Sequence, residues 1–270
     1  METVKMLLAI NPNYVIVGLI AVFYTLEQLF VTPFKFDKRP KHLLNNVLFQ
    51  IVYLVINFFY ASLLVFCINW LNDNQIGLFH LIKMPYWLKL MLGVALFDFT
   101  TYWFHRMGHI VPLFWRLHRV HHSDSTMDSS TYFRGHPIEA FVNFGIGNMV
   151  ASAIFGLDMT TFGLYSFIVL PFLIVQHINL KTPDWVDNTL GKVFMTPNLH
   201  KIHHEQDQLH TDSNFADIFI VWDRLFGTYT YKPLKEINLG LKEFNTDEKQ
   251  SFLYLMKSPF ISIKRNVSDQ

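Results

Sequence analysis

One cysteine, Cys67, is all the chain has among its 270 residues. A disulfide framework and a cysteine-ligated zinc or iron–sulfur site are therefore excluded. Charge is scarce too: 16% of residues are Asp, Glu, Lys or Arg, and the net charge is +1. Without a basic or acidic field, nucleic acid is excluded as a partner. The sequence has no His-Glu-x-x-His string and no Gly-x-Ser-x-Gly elbow, which argues against a zinc protease and a serine hydrolase. Repeats, low-complexity tracts and flexible linkers are missing as well, so residues 1–270 read as a single domain.

What is present is apolar. With 51% hydrophobic and 16% aromatic residues, the chain belongs in a bilayer. Tyr14 to Phe30 reads as a retained membrane helix, since Glu2 and Lys5 rather than a basic region precede it. Asn45 to Trp70 contains no charged side chain and is more than long enough to span. Tyr86 to Phe104 carries Lys89 and Asp98 and runs into His105. Ile138 to Leu157 and Thr160 to Gln176 form a helical hairpin that either crosses or re-enters the membrane. The fold class expected is an all-α integral membrane bundle of about four or five membrane helices, with a histidine-rich cap. The loop Lys35, Asp37, Lys38, Arg39, Lys41 faces the cytoplasm by the positive-inside rule. That orientation brings all the histidine clusters to the cytoplasmic face.

Those clusters carry the chemistry. Eight of thirteen histidines lie in three boxes: His105 and His109; His118, His121 and His122; His200, His203 and His204. Histidines three and four apart share a helix face, so each box aims its imidazoles at one region. Eight exceed the four ligands a structural zinc needs, which implies two ions. His177, where the hairpin exits, is an ionisable residue at membrane depth and reads as a further ligand. His136, before Pro137, reads as the tenth, with a turn residue as its alternative. His210 reads as a surface residue, and His42 and His80 as ordinary loop histidines. Asp98, Asp124, Asp128, Glu139, Asp207, Asp212 and Asp223 lie near the boxes as acceptors for imidazole N–H groups. Asp98 is expected behind a ligand or paired with an arginine. Asp223 and Arg224 are expected as an ion pair or cap, and Asn179 as an amide bonded to backbone. The phenylalanines beside the boxes cannot be divided by periodicity into cavity lining and packing.

From Asp98 to Tyr229, the sequence resembles the fatty acid hydroxylase and sterol desaturase superfamily of integral membrane di-iron oxygenases, in a bacterial-type form. The resemblance rests on the three boxes together with Arg134-Gly-His136-Pro137-Ile-Glu139, Gln176-His177-Ile-Asn179, Thr196-Pro197-Asn-Leu-His200 and Trp222-Asp223-Arg224-Leu225-Phe226-Gly227-Thr228-Tyr229. It implies two iron ions held by the box histidines, O2 as co-substrate, a lipid substrate and an external electron donor of cytochrome or ferredoxin type. It also implies hydroxylation or desaturation of a C–H bond, in a bacterial inner membrane. Thr211-Asp212-Ser213-Asn214-Phe215-Ala216 departs from the Thr-Asp-x-Asn-Tyr-Gly of bacterial relatives without touching a ligand. A di-zinc membrane lipid hydrolase and a non-catalytic metal-binding or transport protein stay open as other classes.

Overall fold

The structure, a computed structural model, describes residues 2–30, 32–35 and 38–264. Among the described residues its regular elements are all helices, with an isolated bridge between Glu205 and Leu239 and no strand. Phe36 and Asp37 of the basic loop lie outside the described residues.

Short α1, Glu2–Leu8, precedes α2, Pro12–Leu29. Pro12 opens α2, and the Asn11 side chain accepts the Asn13 N–H, which satisfies one of the donors a helix start leaves over. Next comes α3, Arg39–Asp73, of 35 residues. At 1.5 Å per residue it is about 52 Å long, well beyond a hydrocarbon core of about 30 Å. Phe58 and Phe59 are 74% and 72% exposed on it, as lipid-facing rings are.

The central element is α4, Tyr86–Ile110. Pro112 prevents its continuation: Val111 takes the extended conformation that a residue before proline prefers, and α5, Pro112–His122, leaves at a corner. The hairpin follows as α6, Pro137–Phe155, and α7, Met159–Val175. A π-helical turn at Phe141–Ile146 interrupts α6. Gly156, with φ of 72°, ends it, and Asp158 caps α7 by accepting the Thr161 N–H. Gly156 also touches Gly77: a Cβ on Gly77 would lie 2.1 Å from the Gly156 nitrogen, so neither position has room for a side chain.

Among the described residues, three stretches are long and apolar enough to cross a membrane: Pro12–Leu29, Arg39–His80 and Pro137–Phe155, with Met159–Val175 a shorter apolar helix. The run from Tyr86 does form a helix, yet α4 is not among these. Lys89, Asp98, His105 and Arg106 dilute its apolar character, and it packs against α5, α6 and α7 with Phe97, Asp98 and Tyr102 fully buried. It joins the hairpin helices to α5 and so to the first two histidine boxes. Beyond α7 the chain forms a cap of short helices, of which α8, Pro197–His203, carries the third box. Tyr102 of α4 meets Met127, Leu199 and Phe215 in the core beneath the cap.

Candidate metal centre

Nine of the ten histidines singled out in the sequence form two buried groups. His105, His109, His118, His122 and His203 make one; His121, His177, His200 and His204 make the other, each group with its nitrogens within 4.8 Å of one another. The α4–α5 corner at Val111 folds His105 and His109 over His118 and His122. Each His-x-x-His-His box is split between the groups, and helical geometry explains how. Residues i and i+4 lie about 40° apart around a helix, whereas i+3 and i+4 lie about 100° apart. So His118 and His122 enter one group while His121 turns to the other. In α8 the arrangement is mirrored, with His200 and His204 in the second group and His203 in the first. The groups adjoin where the His122 and His204 rings stack at 4.5 Å.

The second nitrogen of most rings is already committed. Nδ1–H of His105 donates to the Phe215 carbonyl at 2.6 Å, that of His203 to Ser213 at 2.6 Å, and that of His118 to Glu139 Oε1 at 2.6 Å. His109 Nδ1 donates to Asp212 Oδ1 at 3.0 Å. In the second group, His121 donates to the Arg134 carbonyl at 2.8 Å and His177 to the Leu173 carbonyl at 2.5 Å. An acceptor at Nδ1 fixes the proton there in a neutral ring, so Nε2 presents a bare lone pair. Burial keeps the rings neutral, pushing His118 down to about 3 and His121 to about 4.

Those lone pairs face one another. The Nε2 atoms of His105 and His118, and of His105 and His203, are 3.0 Å apart, and those of His121 and His177 3.1 Å. No proton stands between them, and lone pairs at this distance repel unless a cation lies at their focus. A metal–nitrogen distance of about 2.1 Å puts neighbouring nitrogens about 3.0 Å apart in an octahedron and about 3.4 Å apart in a tetrahedron. The spacing and the five donors of the first group fit the octahedral case.

His136 stands outside both groups. It is the N-cap of α6, where its Nδ1 accepts the Ile138 N–H at 3.3 Å. Its ring lines a cavity of about 150 Å³ together with His105, His118, His121, His177 and His200. His42, which the sequence suggests is an ordinary loop residue, is buried on α3 with Nε2 2.9 Å from both oxygens of Asp124. His80 lies in a short 3-10 turn against Gly156. His210 is half-buried, with Asp207 3.4 Å away.

The carboxylates divide in a way that sequence proximity does not give. Glu139 and Asp212 take imidazole N–H groups directly. Asp98 neither contacts a histidine nor pairs with arginine; it accepts the backbone N–H of Ile218 and Phe219 at 3.0 Å and the Trp222 indole N–H at 2.9 Å. Asp223 accepts the N–H of Phe215 and Ala216 and the Thr228 hydroxyl, and does not pair with Arg224, which stacks over Tyr229 at 3.8 Å. These two buried acids hold the 215–219 strap whose Phe215 carbonyl orients His105. Asn179 bonds the Phe34 backbone through both amide atoms.

A second cavity of about 420 Å³ adjoins the first, sharing Gln50, Tyr53, Tyr132, Phe144 and Leu173 with it. Its walls come from α1, α2, α3, α6 and α7, and no charged side chain lines it. Such an apolar pocket, beside the histidine-lined cavity, suits an aliphatic chain. Neither Gln50 nor Tyr53 stands out in the sequence, because both sit in an apolar run far from any box.

The family model for fatty acid hydroxylase matches residues 90–228, just over half of the chain. Among similar proteins, alkylglycerol monooxygenase of Xenopus tropicalis is 32% identical over 167 residues, 58% of this chain and 34% of that protein. Ornithine lipid hydroxylase OlsE of Rhizobium tropici is 27% identical, over 56% of this chain and 44% of its own. Very-long-chain aldehyde decarbonylase GL1-11 of Oryza sativa subsp. indica is 29% identical, over 56% and 58%. The chain thus spans about a third of the length of the alkylglycerol monooxygenases it matches. No solved structure matches it. Three histidine boxes converging on two lone-pair clusters, at the mouth of an uncharged cavity, occur within the matched stretch, and the chain belongs to the fatty acid hydroxylase family.

Proposed function

We propose that the protein is a membrane di-iron oxygenase that hydroxylates a C–H bond of a lipid, using O2 and electrons from a separate cytochrome- or ferredoxin-type carrier. The observation that carries this reading is the pair of clusters of inward-facing Nε2 lone pairs. Five nitrogen donors at octahedral spacing in the first group exceed the four of a tetrahedral zinc site, which supports iron over a di-zinc hydrolase. When bound, such a metal pair supplies oxygen activation, chemistry no side chain performs unaided. His105, His109, His118, His122 and His203 would hold one ion, and His121, His177, His200 and His204 the other. Glu139, Asp212 and the four backbone carbonyls fix ring orientation. The apolar cavity would exclude water and present a methylene to the adjoining histidine-lined cavity, where position decides whether hydroxylation or desaturation follows. Two relatives named for acting on lipids, alkylglycerol monooxygenase and ornithine lipid hydroxylase, support a lipid substrate.

The metal centre is assigned to the cytoplasmic face of a bacterial inner membrane. His42, at the start of α3 beside the basic loop, pairs with Asp124 just after the second box. Lys38 pairs with Asp247 of the cap. Basic loop and histidines therefore share one end of the bundle, and basic loops stay inside.

The test is turnover of a total lipid extract by purified, iron-loaded protein under labelled oxygen with a reductant. One labelled oxygen atom in a lipid product supports the assignment. Product formation by zinc-loaded protein in anaerobic buffer refutes it.

A further inference from the structure

Tyr102 is fully buried on α4, three residues before His105, and so lies one helical turn from a candidate ligand. The Phe215 ring touches both. Its centroid is 6.2 Å from that of Tyr102, 5.8 Å from His105, 4.9 Å from His109 and 5.7 Å from His203. Tyr102 also meets Trp103 at 5.5 Å and Phe226 at 5.6 Å, and Phe226 meets Trp103 at 5.0 Å. Trp103 is only partly buried, with the Arg106 guanidinium 5.2 Å from its ring centre. A continuous run of aromatic rings thus leads from the imidazoles of the first group to an indole that reaches the surface.

The phenol also has an outlet for its proton. Its oxygen is 2.9 Å from the Thr228 hydroxyl, which in turn lies 2.7 Å from Asp223 Oδ1. Asp223 accepts the Phe215 and Ala216 N–H groups too, so the single Thr228 proton points to this acceptor and Tyr102 donates to Thr228. Arg106, 3.4 Å from the phenol oxygen, can only donate. A phenol that loses one electron becomes a strong acid, and a buried one is readily oxidised only where an acceptor waits.

We propose that Tyr102 and Trp103 form a redox relay that drains oxidising equivalents from the histidine-bound metal pair to the surface when oxygen is activated with no lipid in place. The inference rests on the oxygenase reading. Reducing one O2 to two waters takes four electrons and four protons. Two electrons come from the carrier; in hydroxylation the C–H bond supplies the other two, and without lipid the protein must. Tyr102 gives one electron to the metal pair while its phenolic proton passes to Thr228 and the Thr228 proton to Asp223. Trp103 then returns an electron to Tyr102, which recovers its proton along the same chain. A small one-electron reductant of the thiol or ascorbate class restores the indole at the surface. Two passages supply both missing electrons, and solvent supplies the protons of the water formed.

Electron paramagnetic resonance tests the relay. Reduced, iron-loaded protein mixed with O2 without lipid, then frozen, should show a tyrosyl radical whose lines narrow with ring-deuterated tyrosine. Tyr102→Phe should abolish it, Thr228→Val should remove most of it, and Trp103→Phe should lengthen its lifetime several-fold, with iron per chain unchanged. Mass spectrometry after repeated oxygen exposure without lipid should find oxygen adducts on the Trp103 peptide. Trp115, whose ring lies 5.2 Å from His109 and 5.6 Å from His122, is the rival site of oxidation. Wild-type protein that oxygenates lipid but shows no tyrosyl radical, or the same radical in Tyr102→Phe, overturns the relay alone. Slower lipid turnover in Trp103→Phe would make the rings an inward path for carrier electrons, and overturns the drain. Wild-type protein that forms no oxygenated lipid overturns the oxygenase reading, and the relay falls with it.

Discussion

His105 and His118 point bare Nε2 nitrogens at each other across 3.0 Å, while their Nδ1–H groups donate outward to the Phe215 carbonyl and to Glu139. Each ring is held in the one tautomer that makes the facing nitrogens repel. That arrangement is stable only with a cation at the focus, and it makes metal content the first quantity to measure.

Replacing His122 by Ala removes a donor from the five-membered group and the stacking partner of His204 in the other. Elemental analysis of the purified variant should show the two ions per chain falling to one or none. Full occupancy would mean that the clusters are packing features.

Acceptors behind the ligands should matter nearly as much as the ligands. Glu139→Ala removes the acceptor of the His118 Nδ1–H, and Asp212→Ala removes the Asp212 acceptor of His109. Each should weaken metal affinity about 10- to 100-fold. Competition with a chelator reads this out, and an unchanged affinity would show that the two carboxylates do not orient the rings.

Asp98→Ala strands three buried donors, the N–H groups of Ile218, Phe219 and Trp222. At about 1–3 kcal/mol for each donor left unsatisfied, the loss should be about 3 kcal/mol or more. Thermal unfolding in detergent should show it, together with weakened metal binding as the strap behind His105 loosens. A melting temperature within error of wild type would mean the strap is held by packing alone.

Stability should also carry the Asp217 titration. Burial pushes its carboxyl in the folded chain up to about 8, above the usual aspartate value of about 3.9. Between those values the folded chain keeps a proton that the unfolded chain has released. Stability therefore falls as pH rises through that window, by at most about 1.4 kcal/mol per pH unit. Comparing metal-free wild type with Asp217→Asn across pH 5–8 should show a downward slope in the former that the latter lacks.

Blocking the apolar cavity should separate binding from chemistry. Ala61→Trp on α3 fills the cavity away from every histidine. It should lower kcat/KM for long-chain substrates at least about tenfold, at unchanged iron content. Unaltered kinetics would show that substrate takes another route.

The sequence discloses what is local. The three boxes are legible because ligands three and four apart are a property of a single helix, and the hairpin is legible because Gly156 and Asp158 interrupt one apolar stretch. The division of each box between two ions is not, because it depends on how the Val111 corner and α8 meet. Asp98 acts on residues 120 positions away, and His42 on Asp124, 82 away; neither partnership leaves a periodic trace. Tyr86 to Phe104 reads as a membrane run, and the helix forms, but hydropathy does not reveal that it packs against α5, α6 and α7 with Phe97, Asp98 and Tyr102 buried. His136 is the instructive case: a histidine before Pro137 suits a ligand or a turn residue, and the structure uses its Nδ1 as a helix cap while its ring lines the histidine cavity.

The aliphatic pocket is walled on one side by α1, α2 and α3, all of which precede the stretch shared with the family, while all nine clustered imidazoles lie inside that stretch. Part of the pocket wall, but none of the clustered imidazoles, is therefore encoded ahead of the shared stretch. Drift in the leading helices can retool which molecule is admitted without disturbing the oxidising machinery, and grafting those helices between relatives is the natural way to exchange their preferences.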